Sequence, residues 1–170
     1  IFPFFLLNFK IKTHNNEMTN RLLIICLFIF SYSYSQKETS PYIVILGTIQ
    51  DAGSPHMGCE KSCCIDLFEN PDPTRKVVSL GLVDPQEKKY WLIEASPDFV
   101  MQCRELKKIA DFEHSKSPDG IFLTHAHIGH YTGLMYLGKE SYNSKNVPVF
   151  AMTRMKGFLI KNGPWSQLFK

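Results

Sequence analysis

What this sequence has little of narrows its class before any motif is read. It has no long apolar run: the longest, residues 22–30 (LLIICLFIF), holds nine residues, and a membrane-spanning helix needs about 20. A many-pass membrane protein is therefore excluded. Neither sign of charge dominates. Nineteen Lys and Arg stand against 16 Asp and Glu, a net of +3, which supplies no basic field for nucleic acid. Five cysteines in 170 residues are too few for a disulfide-stapled scaffold. Internal repeats and low-complexity tracts are lacking as well, and the hydrophobic and charged fractions are those of a globular protein. The most consequential scarcity is local. Residues 131–170 hold no His, Asp or Cys, and Glu140 is their only acidic residue.

The N-terminal part reads as an address. From Met18, Arg21 supplies a positive start, residues 22–30 the apolar run, and Ser33-Tyr34-Ser35 a small-x-small exit before Gln36. That is the secretory signal pattern, with an uncleaved anchor or a buried strand as the alternative. Cys26 lies inside the apolar run, so it does not serve as a lipoprotein cysteine. Residues 1–17 precede this start and are read as an upstream extension, 18–35 as a signal peptide cleaved near Ser35–Gln36, and 36–170 as the exported, periplasmic or secreted domain. No stable membrane span is expected after cleavage. Lys10, Lys12 and Arg21 against Glu17 give the first 35 residues a net +2, which leaves +1 for the rest.

In the remaining chain, residues 42–46 (YIVIL) read as a buried strand closed by Gly47. Residues 50–73 read as loop, broken by Gly53, Pro55, Gly58, Pro71 and Pro73. Residues 77–83 and 90–93 read as a hairpin around Asp84-Pro85. Ser96-Pro97-Asp98 opens a helix, with Ser96 as its N-cap and Phe99, Cys103, Leu106 and Ala110 on its core face. A short strand at 121–123, a helix at 131–138, a strand at 147–151 and a helix at 154–160 follow. Strands first, then alternation, imply an α/β (α+β) fold with a mixed sheet and helices packed on it.

The most informative segment is Thr124-His125-Ala126-His127-Ile128-Gly129-His130, which holds three of the six histidines. On extended chain, residues two apart point the same way, so His125 and His127 reach one ion while Ala126 faces away. A turn at Gly129 brings His130 to the same pocket. Neutral imidazole ligates zinc and related divalent ions. An ion with an open position lowers the pKa of bound water to about 7. The alternative, three histidines that merely satisfy the surface or core, suits a lone histidine better than a trio at this spacing.

Thr124-His125-x-His127-x-Gly129-His130-x-x-Gly133-Leu134 resembles the T-H-x-H-x-D-H-x-x-G-L signature of the metallo-β-lactamase superfamily. The resemblance implies an αββα sandwich with metal at one edge of its sheets, His125 and His127 on a first ion and His130 on a second. Gly129 stands where that family has an Asp that ligates the second metal and orients the nucleophilic water, so a catalytic carboxylate is missing here. A narrower resemblance joins Leu46-Gly47-Thr48-x-Gln50-Asp51-Ala52-Gly53-x-Pro55-x-x-Gly58-Cys59 to Trp91-Leu92-Ile93-Glu94-Ala95-Ser96-Pro97-Asp98. Both segments are similar to pyrroloquinoline quinone biosynthesis protein B and its relatives.

Cys59, Cys63 and Cys64, with His56 upstream, form H-x2-C-x3-C-C in a Gly/Pro-rich loop. Thiolates at a closed zinc site staple such loops, and the resembled subgroup carries a structural zinc on a similarly placed cluster. In an exported protein a disulfide of Cys59 with Cys63 or Cys64 is the other reading, and three reduced bystander thiols the third. Use of both Cys63 and Cys64 requires a turn. Cys103 reads as core, Asp98 as part of a helix start, His114 as solvated and Trp165 as packing. Glu94 follows a strand, where active-site residues often sit.

The resemblance demands a further His, Asp and His beyond the signature, which residues 131–170 lack. The expectation is a domain truncated at its C-terminus, with one sheet face left apolar. For the whole protein, the expected function is a metal-dependent hydrolase of esters, amides or phosphodiesters acting on a small-molecule substrate. It would use one or two zinc ions, or iron or manganese. An oxygenase or hydroxylase and a non-catalytic zinc-stabilised binding protein are the alternatives. The oligomeric state and the substrate are not written in the sequence.

Overall fold

A computed structural model describes residues 40–112 and 117–169, with Arg21 apart from them. The chain divides into two compact units, residues 1–37 and 38–170, and the described fold belongs to the second. The expected upstream extension, the signal peptide and His114 lie outside the described residues.

Five strands form one sheet in chain order: β1 (Tyr42–Gly47), β2 (Ser79–Asp84), β3 (Lys89–Ile93), β4 (Gly120–Phe122) and β5 (Val149–Phe150). β1–β2 and β2–β3 are antiparallel, β3–β4 and β4–β5 parallel. The expected mixed sheet is what forms. The β2–β3 hairpin closes on Asp84, whose Oδ1 accepts from Gln86 N and Glu87 N at 2.9 and 3.1 Å, as an Asx turn does. Among the described residues, three α-helices accompany the sheet: α1 (Ile65–Glu69), α2 (Phe99–Ala110) and α3 (Thr153–Lys161).

Period-two alternation sorts the strands into two faces. Val83, Tyr90, Leu92 and Ile121 lie on the face packed against α2 and are buried with Phe99, Leu106 and Ala110. Gly81 lies under that helix. A Cβ there would stand 2.3 Å from Leu106 Cδ1, so the bare backbone makes room for the leucine. Gln102 is buried on the same helix and joins sheet to loop: Ser96 Oγ donates to its Oε1, and its Nε2 donates to Val77 O, both at 2.7 Å.

The opposite face is apolar too. Ile43 pairs with Leu82, Leu82 with Trp91, Ile93 with Phe122, and Phe122 with Phe150. Ile43 and Ile45 are 63% and 68% exposed. The rings of Phe122 and Phe150 stack with centroids 4.5 Å apart. Among the described residues no second layer covers this face, and no helix is long and apolar enough to cross a membrane.

Several elements differ from the sequence expectation. β1 is an edge strand, buried only at Leu46 and Gly47, because its run of five apolar residues faces both sides of a sheet covered on one. Residues 50–73 include a helix, α1, rather than loop alone. The helix expected over residues 131–138 takes the 3₁₀ form, Thr132–Leu137. Here Gly133 must pass so close to β3's exit that a Cβ would meet Ser96 O at 2.2 Å. Asp98 is the residue immediately before α2, yet Ser96 makes the capping contact expected of it, its Oγ accepting from Asp98 N at 3.1 Å, while Asp98 Oδ2 accepts from Val77 N at 2.7 Å. Trp165 packs as expected, buried edge-on against Tyr131 at 5.2 Å.

Candidate metal centre

The histidine segment leaves β4 at the edge of the sheet and turns through the 3₁₀ helix Ile128–His130. Backbone bonds tie it to the end of β3: Glu94 N donates to Phe122 O at 2.8 Å, Ala95 N to His130 O at 2.9 Å, and Gly133 N to Ala95 O at 2.8 Å. This places one ligand atom from each of His125, His127 and His130 within 4.8 Å of the others. His125 and His127 are exposed and His130 is half-buried.

The donor set fits a divalent ion. His125 Nε2 and His127 Nδ1 stand 3.1 Å apart, and two nitrogens on one tetrahedral zinc lie roughly 3.3 Å apart. The neighbouring hydrogen bonds settle which nitrogen is free. Thr124 Oγ1 donates its one proton in a short bond to Glu94 Oε1. Toward His125 Nδ1, at 2.8 Å, the hydroxyl can then only accept. His125 therefore carries a proton on Nδ1, and the neutral ring presents the Nε2 lone pair to the cluster.

Glu94 is the buried carboxylate behind this arrangement. It is 4% exposed and sits at φ +77°, a backbone region non-glycine residues rarely occupy. Its Oε1 also accepts from Thr124 N at 3.2 Å. Its Oε2 faces His130 Nδ1 at 3.5 Å, and these two atoms are buried without a hydrogen-bond partner. A carboxylate behind a ligating histidine fixes ring orientation and leaves the other nitrogen for metal.

Gly129 leaves a space that a residue distant in sequence fills. A Cβ on Gly129 would lie 2.3 Å from Asp51 Cβ and 2.5 Å from Asp51 O. Asp51 Oδ2 stands 4.0 Å from His127 Nδ1. Reading the sequence as a string does not single out Asp51. The available signal was an Asp in the loop after β1, paired with a Gly where a carboxylate is usual.

The second group is Cys59, Cys63 and Cys64. Cys64 N and Ile65 N both donate to Lys61 O at 2.9 Å, which supplies the turn that adjacent cysteines require. Sγ separations are 3.9 Å for Cys59–Cys63 and 3.9 Å for Cys63–Cys64, against roughly 3.8 Å for two thiolates on one tetrahedral zinc. All three are free thiols. The hydrogen bond between Cys64 and Cys59 lowers the Cys59 thiol pKa and raises that of Cys64. Arg75 Nη1 clamps the loop, donating to Ser54 Oγ at 3.1 Å and Cys63 O at 3.3 Å. His56 does not join the group; its Nδ1 pairs with Met57 O at 2.9 Å.

A surface cleft walled by Leu137, Val147, Ile160 and Phe169 contains neither group. The chemistry therefore locates the candidate site better than concavity does.

Residues 90–167 match the beta-lactamase superfamily domain. No curated protein matches the chain. Among solved structures, the chain resembles zinc-bound PqqB from Methylobacterium extorquens, with 24% identity and a TM-score of 0.59 over 75% of this chain and 45% of that one. It also resembles a new diphosphatase from the PhnP family, with 24% identity and a TM-score of 0.50 over 71% of this chain and 44% of that one. The chain thus spans less than half the length of either. With its mixed sheet of strands and helices and these matches, the chain has the fold of part of a metallo-β-lactamase domain.

Proposed function

We propose that the protein is a metal-dependent hydrolase whose ion is held by His125, His127 and His130. The observation that carries this reading is the 3.1 Å approach of His125 Nε2 and His127 Nδ1, with Nδ1 of His125 turned to Thr124 and its Nε2 turned to the cluster. The zinc named in the PqqB structure and the diphosphatase named in the other relative support the metal and the reaction class. A divalent ion supplies Lewis acidity and acidifies bound water, which suits attack on an ester, amide or phosphodiester. The chain's own residues do the positioning. Thr124 orients His125, and the buried Glu94 carboxylate stands beside His130, its Oε2 3.5 Å from Nδ1. Cys59, Cys63 and Cys64 hold a second, structural zinc that staples a loop with little apolar content. Export, carried by the pattern of residues 18–35, belongs to the same proposal.

Metal analysis of the purified chain tests it. Two zinc ions per chain are expected, with one lost in His127→Ala and the other in a Cys59→Ser, Cys63→Ser double variant. A metal-free chain, or zinc content unchanged by His127→Ala, would overturn the histidine site. Turnover by the whole protein that consumes dioxygen would move the reading to an oxygenase.

A further inference from the structure

We infer that Asp51 supplies the metal-site carboxylate that Gly129 lacks, delivered from the loop after β1. The inference rests on the metal-site reading above. Two residues compete for one volume. A side chain at 129 would begin 2.3 Å from Asp51 Cβ and within 2.8 Å of Asp51 Cα. Those are rigid atoms rather than the far end of a flexible side chain, so an Asp at 129 and an Asp at 51 exclude each other. Asp51 roots its carboxylate where a carboxylate at 129 would be rooted.

The position is built. Gly53 N donates to Gln50 O at 3.0 Å. Gln50 spans its own turn, its Nε2 donating to Gly53 O at 3.0 Å and its Oε1 accepting from Ala52 N at 2.9 Å. Ile49 bridges Val77, and Val78 N donates to Ile49 O at 2.8 Å. This anchoring is possible because Gly47 lets the chain run against Val77 O, which a Cβ would meet at 2.1 Å. Asp51 is therefore held between two pinned segments, with Oδ2 facing His127 Nδ1 at 4.0 Å. Ligands on one zinc sit roughly 3.3 Å apart, so the carboxylate joins the three histidines by a side-chain movement inward from its place beside His127. The anionic oxygen also offsets charge that three neutral imidazoles leave on a dication.

Cobalt(II) titration of the full chain tests the inference, because thiolate charge-transfer bands report the cysteine group separately from the histidine site's d–d bands. Asp51→Asn is expected to weaken cobalt at the histidine site by about tenfold or more. Thiolate bands and metal-free thermal unfolding are expected to stay unchanged. Gly129→Asp alone is expected to perturb the site by collision, and the Asp51→Gly, Gly129→Asp exchange to recover affinity. Wild-type binding that is sensitive to His127→Ala but insensitive to Asp51→Asn overturns this inference alone. An equal loss of metal-free stability in Asp51→Asn assigns Asp51 a structural role and overturns it too. A wild-type chain without histidine-site cobalt overturns both readings.

Discussion

Single residues in this protein carry opposite chemistry according to what surrounds them. Cys59 lies beside two other thiols, whereas Cys103 lies on the core side of α2, where burial pushes its thiol up to about 12. A neutral thiol at neutral pH is neither nucleophile nor ligand. Of the four described cysteines, Cys103 is expected to alkylate last in the native protein at pH 8 and to match the others once unfolded. Mass spectrometry of iodoacetamide-treated protein checks this. The sign follows from linkage: a folded-state pKa raised by burial contributes stability that is complete below the ordinary thiol range. That contribution is lost as pH rises toward 12. The three site histidines were legible at this scale because they sit within six residues. Asp51 and the two-sided role of Glu94 were not, because neither stands near the histidines in sequence.

At the scale of elements, α2 organises the sheet. Its apolar spacing was readable, and Phe99, Leu106 and Ala110 are buried as expected, with Cys103 half-buried. The unexpected member is Gln102, a fully buried polar residue that satisfies Ser96 Oγ and Val77 O. Gln102→Leu preserves volume but strands those two groups and is expected to cost about 1–3 kcal/mol. Leu106→Ala opens a cavity over Gly81 and is expected to cost about 2–5 kcal/mol. Urea unfolding of each variant measures both. The helix expected over residues 131–138 forms as the 3₁₀ helix Thr132–Leu137. There Gly133 approaches Ser96 O closely, and its N–H, donating to Ala95 O, ties the histidine segment to the end of β3.

At the scale of the molecule, the described residues cover one face of the sheet and leave the other open. Ile43, Ile45, Phe122 and Phe150 are all exposed on the open side. Soluble proteins seldom leave so continuous an apolar surface bare. The chain is expected to bind a hydrophobic dye such as ANS and to self-associate with rising concentration. An Ile43→Thr, Ile45→Thr variant is expected to lower both signals without loss of the sheet, as followed by dye fluorescence, light scattering and circular dichroism. Unchanged dye binding in that variant would place the exposed surface elsewhere.

The sequence by itself determined the features that are local. The β-branched and apolar runs set where strands fall, the spacing of Phe99, Leu106 and Ala110 set the helix face, and the two candidate ligand groups are each confined to one short segment. Extended backbone and tight turns are enough to gather ligands that close. Tertiary structure alone decided which face of β1 is buried, which carboxylate stands behind His130, and which one stands where Gly129 has none. Those contacts join segments far apart in the chain. They form only when sheet register and helix packing bring β1's loop, β3's end and β4's exit to one edge, and register answers to burial across the whole sheet rather than to any one segment.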